Sequence, residues 1–294
     1  MILLIIIIII IIIIYKSYET KLFNYYKIIS YKLIKNNRIK PIKNNTIILN
    51  KPFNEFYINT SHNTYISQFQ NFSIIDGNII KHILNIGIRA IELDIHSYNN
   101  IPIVAHGTDN FITTSFITFE SCMNIIKDYG FLISDPLILF LEIKKNKPDI
   151  MLQIKNIILN TVGNKLLDKT FKISQNESKL FINEPIINLL NKIIIINTTS
   201  NNINLEDILD YPYQVKNIDE YSIIPNDNKY MKRIYPAGNI SRHLSSNVNP
   251  KVFWEKKVNF VAINCQTIDN NFIKNYNFFR EYSFIHFSEF NKKN

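Results

Sequence analysis

The sequence predicts an α/β protein, a (β/α)8 TIM-type barrel distorted or incomplete between its two halves and preceded by an N-terminal hydrophobic anchor. Three observations carry that prediction. From Lys51 onward, short strand-like apolar runs alternate with helical periodicities, and no Gly/Ser-rich linker separates them. The part of the 294-residue chain beyond position 50 matches the roughly 250 residues such a barrel needs. Several of its short strands also end in titratable or amide-bearing residues, as barrel strands do where they deliver side chains to a site.

The N-terminal run MILLIIIIIIIIIIY, residues 1–15, contains neither a charged nor a small residue. A helix over it would rise about 20 Å against a hydrocarbon core of about 30 Å, which is short for a span. It lacks the basic start and small-residue cleavage site of a secretory signal, so an uncleaved membrane anchor is expected, with a low-complexity isoleucine-rich start as the competing reading. Residues 16–50 form a basic, aromatic juxtamembrane segment with eight Lys or Arg against the single acid Glu19. Such a tract beside an apolar run suits an anionic leaflet and favours the cytosolic side for the body of the chain. The net charge of +9 therefore points to a membrane as partner, and nucleic acid is not expected. Cys122 and Cys265 stand in apolar runs without metal-ligand spacing and read as small buried hydrophobes of a reducing compartment. Nothing marks a protein partner, and a monomer is expected.

Residues 51–200 are expected to form the first half of the barrel and 201–294 the second. The extended run FNEFYIN leads into SHNTY, Ser61 to Tyr65, which taken alone reads as a turn. IIDGNIIKHILNIG reads as a helix with one apolar stripe, capped by Gly87, and gives His82 no role. In RAIELDIH the two-residue strand period puts Ala90, Glu92, Asp94 and His96 on one face and Ile91, Leu93 and Ile95 on the other. IPIVAHG reads as a further buried strand with His106 at its end, and PLILFLEIKK as a buried parallel strand whose last residues bring Glu142 to the site.

Two carboxylates pointing the same way from a buried strand repel each other and lose solvation, so they call for a compensating cation. Oxygen ligands from Asn63, Glu92, Asp94 and Glu142, with no cysteine near, suit Ca2+ better than Zn2+. Two histidines beside them, His62 and His106, suit phosphoryl chemistry, one stabilising developing charge and the other moving a proton.

SHNTY, GIRAIELDIH, PIVAHG and LILFLEIK, in this order, resemble the X region of eukaryotic phosphoinositide-specific phospholipase C; KRIYPAG, SSNVNPKVFW and VAINCQT resemble its Y region. The resemblance runs from about Pro52 to about Phe287. It implies a calcium-dependent enzyme that cleaves a phosphoinositide lipid in an anionic leaflet to diacylglycerol and inositol phosphate through a cyclic phosphodiester. It further implies calcium ligation by Asn63, Glu92, Asp94 and Glu142, a phosphate-stabilising His62, and a His106 that protonates the departing oxygen. Glu92 or Glu142 would take the proton of the attacking hydroxyl, and Arg233 and Tyr235 would contact the headgroup. Bacterial relatives use an arginine in place of calcium, but Arg89 lies on the strand face opposite Glu92 and Asp94, where an acid outside the barrel is its expected partner.

The chain departs from the family in three respects. Ile196 and Asn197 to Thr198 stand where two headgroup-binding lysines are expected, and DYPYQVKNI has no clear counterpart of a phosphate-binding serine. Since each charge-assisted bond is worth about 1.5–3 kcal/mol, a preference shifted toward phosphatidylinositol or its 4-phosphate is expected, with Lys144 and Lys145 as partial compensation. No EF-hand pattern is present. A catalytically inactive phosphoinositide-binding module is the alternative; retention of both histidines argues against it. A bacterial-type or glycerophosphodiester-cleaving barrel would not account for RIYP and SSNVNP.

Overall fold

The computed structural model describes residues 5–11, 13, 41–42, 45–67, 70, 73–108, 110–144, 147–167, 180–199, 205, 214–226, 229–237 and 246–293. The chain divides into two compact units, 1–38 and 39–294. In the first, the described residues are a short exposed helix within the isoleucine run. Among the described residues no helix is long and apolar enough to cross a membrane, in contrast to the transmembrane anchor expected from the sequence. The physical reason is the one visible in the sequence, since fifteen residues rise too little to span. The basic tract falls almost wholly outside the described residues.

Twelve strands are described in the second unit: β1 (Phe56–His62), β2 (Ala90–Tyr98), β3 (Ile101–Val104), β4 (Gly107–Thr108), β5 (Phe111–Ile112), β6 (Ile117–Thr118), β7 (Leu137–Ile143), β8 (Ile193–Asn197), β9 (Val215–Asp219), β10 (Met231–Tyr235), β11 (Phe260–Asn264) and β12 (Phe284–His286). Seven of them pair in parallel, in the order β8-β7-β2-β1-β11-β10-β9. Among the described residues no ladder joins β8 to β9, so the curled sheet is open between the two halves of the chain.

β3 is not a barrel strand, contrary to the sequence reading. It folds back antiparallel on β2, with Tyr98 opposite Ile101. The two residues between them, Asn99 and Asn100, have φ of 49° and 58°, the positive pair that a type I′ hairpin turn requires and that asparagine tolerates.

Among the described residues, five helices of five residues or more cover the sheet: α1 (Gly77–Asn85), α2 (Phe119–Tyr129), α3 (Pro148–Val162), α4 (Pro250–Trp254) and α5 (Asn270–Phe278). α1 ends as its sequence predicts. Gly87 takes φ of 87°, its N–H bonds to Leu84 O at 3.1 Å, and that of Ile88 bonds to Ile83 O at 3.2 Å, a Schellman closure.

The period of two sorts the strand residues into two apolar layers. Ile91, Leu93 and Ile95 of β2, Leu137, Leu139 and Leu141 of β7, and Ile193 and Ile195 of β8 pack with the helices. Their alternates, Ala90, Ile138, Phe140, Ile194 and Ile196, join Ile58, Met231 and Phe260 inside the curl. Continuing each inward row in steps of two residues toward the strand's C-terminal end reaches His62, Glu92 with Asp94, Glu142, Arg233 with Tyr235, and Asn264. One apolar plug thus supports the whole polar group. Arg89 belongs to neither row's site; it is buried, donates to Gly130 O at 2.6 Å, and faces Asp135.

Candidate active site

SHNTY is both the end of a strand and a turn. His62 closes β1, and Asn63 takes φ of 44°, a left-handed conformation that asparagine accepts. The turn is stitched to β2 at one residue. Thr64 N–H donates to Glu92 O at 3.2 Å, and Glu92 N–H donates to Thr64 Oγ1 at 2.8 Å. The Asn63 N–H donates to Glu92 Oε2 at 3.1 Å. The amide of Asn63 is therefore brought to the carboxylates by the backbone, and the buried Tyr65 hydroxyl donates to its Oδ1 at 3.4 Å.

Glu92, Asp94 and Glu142 place one carboxylate oxygen each within 4.8 Å of one another. β2 and β7 run in register with Asp94 opposite Glu142, which fixes that proximity. Burial, and then the charges of Glu142 and Glu92, hold the Asp94 carboxyl well above the usual range. Its Oδ1 is buried without a hydrogen-bond partner. A carboxylate cluster, buried at Glu92 and Asp94, with an unsatisfied oxygen, an adjacent amide oxygen and no sulfur fits a hard divalent cation.

The two other carboxylates carry counter-charges. Arg233 Nη2 lies 2.7 Å from Glu92 Oε1, both side chains being almost fully buried. Arg233 Nη1 donates to Asn217 Oδ1 at 3.0 Å, and the guanidinium lies 4.6 Å from the Phe140 ring centre and 5.4 Å from that of Tyr235. Burial pushes the Glu92 carboxyl up, but Arg233, His62 and the Asn63 N–H together outweigh it, so Glu92 stays below its ordinary value. Lys144 Nζ pairs with Glu142 Oε1, at a place where Glu142 is 36% exposed.

His62 Nδ1 lies 2.8 Å from Asn264 Oδ1, its Nε2 lies 3.7 Å from Glu92 Oε2, and its ring stacks 6.1 Å from that of Tyr235 at 20°. His106 reaches the same space on the return limb of the β2–β3 hairpin, where Ala105 N–H donates to Asp94 O at 3.2 Å. Its Nδ1 is 3.2 Å from Thr113 Oγ1 and its Nε2 3.3 Å from Gln70 Nε2. Burial, then the charges of His62, Lys144 and His96, hold it down at about 4. The two imidazoles thus sense each other across one polar space.

All eight residues singled out in the sequence lie in this one neighbourhood. Among them Arg233, expected to contact the headgroup, is 1% exposed and pairs with Glu92. Asn264 and Asn217 were missed; Asn264 ends β11 on its inward row, the pattern that revealed Glu142, whereas Asn217 is exposed in the middle of β9 and carried no such signal. Ile196 occupies its strand's inward row at 2% exposure, so the place of one expected lysine is part of the apolar plug.

Residues 49–199 match the family model for the phosphatidylinositol-specific phospholipase C X domain, and residues 209–284 match that for the Y domain. Among curated proteins, the chain is 27% identical over 306 residues to 1-phosphatidylinositol 4,5-bisphosphate phosphodiesterase 1 of Saccharomyces cerevisiae, covering 76% of this chain and 34% of that protein. It is 36% identical over 155 residues to mouse inactive phospholipase C-like protein 2, covering 50% of this chain and 12% of that one. The chain therefore spans about a third or less of the length of these relatives. Of solved structures, that of L. pealei PLC21 matches with a TM-score of 0.69 at 19% identity, covering 81% of this chain and 37% of that one. A calcium-dependent phosphoinositol-specific phospholipase C from a Pseudomonas species matches with a TM-score of 0.52 at 14% identity, covering 78% of this chain and 96% of that one. With both domain models matched in order along a barrel-like sheet, this chain belongs to the phosphatidylinositol-specific phospholipase C family.

Proposed function

We propose that the chain is a calcium-dependent phosphoinositide phospholipase C that releases diacylglycerol. The observation that carries this reading is the convergence of His62 and His106 on the carboxylate cluster Glu92, Asp94 and Glu142. Asn63, Glu92, Asp94 and Glu142 would hold the cation, which lowers the pKa of the inositol 2-hydroxyl and offsets phosphate charge when bound. The remaining work falls to the chain's own groups. A carboxylate, Glu92 or Glu142, accepts the 2-hydroxyl proton as that oxygen bonds to the 1-phosphorus. His62 stabilises the charge gathering on the phosphate, and His106, in its protonated form, gives a proton to the diacylglycerol oxygen as its bond to phosphorus breaks. Water then opens the cyclic diester.

Tyr235 offers a half-buried ring beside His62 on which an inositol can stack. Arg233 acts chiefly as the counter-charge of Glu92. With Ile196 in the apolar plug, the preferred headgroup is phosphatidylinositol or its 4-phosphate. Phe111 of β5, beyond His106, is 64% exposed, and Ile223, beyond β9, is 93% exposed; exposed large apolar side chains suit a substrate presented at a lipid surface.

The test follows diacylglycerol release from vesicles of phosphatidylinositol, its 4-phosphate or its 4,5-bisphosphate, with calcium and with chelator, beside His62→Ala. Calcium-dependent release lost in the variant is expected. Strong preference for the bisphosphate overturns the headgroup assignment. Vesicle binding without release from any lipid favours the inactive binding module, a state borne by one relative's name.

A further inference from the structure

A chain of buried amides runs from the start of a helix to the imidazole of His62. Asp269, the residue before α5, accepts from Asn271 N–H at 3.0 Å and Phe272 N–H at 2.8 Å through Oδ1, and from Asn247 N–H at 2.9 Å through Oδ2. The Asn247 side-chain amide donates to Thr267 O at 3.0 Å and shares Asp269 Oδ1 at 3.2 Å and Asn264 O at 3.3 Å. Its Oδ1 accepts from Asn264 N–H at 2.6 Å. Asn264 turns its own Nδ2 to Ser246 O at 3.4 Å, which leaves Oδ1 directed at His62 Nδ1, 2.8 Å away. The parallel register sets His62 directly opposite Asn264, and both residues are buried.

An amide oxygen can only accept, so the ring nitrogen facing it must carry the hydrogen. We propose that Asn264 is a positioning residue that fixes His62 as the Nδ1–H tautomer and aims Nε2 at the reacting phosphate, with Asn247 and Asp269 holding the Asn264 amide in that orientation. A neutral amide does this without committing the ring to a charge, as a carboxylate would. The network lies on the side of His62 away from the carboxylate cluster, so it acts on ring orientation and not on the metal ligands. This inference rests on the proposed role of His62, but the tautomer can be read without turnover.

The experiment is nitrogen-15 NMR of the imidazoles in the full chain, with chelator and without substrate, under conditions where the ring is neutral, with His62→Gln to assign the signals. Wild-type His62 is expected to show the Nδ1–H signature; the Nε2–H signature there overturns the proposal, and this measurement needs no variant that might fail to fold. In Asn264→Leu the ring is expected to shift to Nε2–H, and kcat to fall about ten- to hundredfold with KM unchanged, the range that loss of an orienting partner costs. Asn264→Asp restores an acceptor and should recover the Nδ1–H signature and at least about tenfold of the lost kcat. A leucine variant that keeps both the tautomer and kcat overturns the proposal. A wild-type protein with the Nδ1–H ring but no lipid turnover would sink the enzymatic reading and leave the positioning intact.

Discussion

Replacing Arg233 with methionine separates two roles for the residue. In the structure the guanidinium is 1% exposed and 2.7 Å from the equally buried Glu92, so the variant strands a carboxylate in the interior. Breaking one side of such a pair costs about 3–5 kcal/mol. For a domain of this size that corresponds to a fall in Tm of roughly 6–20 °C. The pH dependence should also change sign. In the wild type, Glu92 is held below its ordinary value, so its contribution is present above the unfolded carboxylate pKa and is lost as the pH falls through the folded one. Without Arg233, burial is the largest influence left and raises the carboxyl, so the variant should gain stability as the pH falls from 8 to 5. Urea unfolding with chelator across that range measures both effects. A loss below about 1 kcal/mol with the wild-type pH slope, joined to a higher KM for phosphorylated headgroups, would refute the counter-charge role and restore Arg233 as a headgroup ligand.

Further expectations concern the site and its rim. Because Asp94 is held high by burial and its carboxylate neighbours, calcium binding should release a proton and tighten as pH rises; calorimetry in buffers of different ionisation enthalpy measures this, and a pH-independent affinity would count against the site. Lys144→Ala removes the cation paired with Glu142 and should tighten calcium up to about fivefold, the worth of a partly exposed pair, in the same titration. His106→Ala should lower turnover about 10²–10⁴-fold while leaving calcium affinity unchanged. Ile223→Asp should weaken sedimentation with anionic vesicles and lower release from them, while cleavage of a water-soluble inositol phosphodiester stays near wild type.

The period of two did most of the predictive work. It assigned Glu92 and Asp94 to one face of β2, and the inward row of β7 extends to Glu142 as the sequence pattern requires. What it could not supply was chain direction. IPIVAHG alternates like any barrel strand, but only Asn99 and Asn100 separate it from β2, a connection too short for a crossover, and they turn it back as a hairpin. The Arg233 pairing was illegible for a different reason. An arginine near an aromatic residue serves a phosphate or a carboxylate equally well, and the choice depends on a register between distant strands. Asn264 was legible in principle, since a polar residue ending an apolar run had already marked Glu142. The fifteen-residue isoleucine run was too short to settle a membrane span on sequence alone.

The open seam between β8 and β9 has a consequence for how the chain can be divided. The longest ladder between the two halves joins β1 and β11, strands far apart in sequence, along five paired residues from Ile58 with Phe260 to His62 with Asn264. Sequence neighbours across the seam share no ladder among the described residues. A nick there would break no sheet hydrogen bond among the described residues, and its chief effect would be to turn reassembly from an intramolecular step into a bimolecular one, with the loss of effective concentration that entails. The histidine and the amide that orients it would then come from different polypeptides, and recovery of lipid cleavage on mixing would report that they had met.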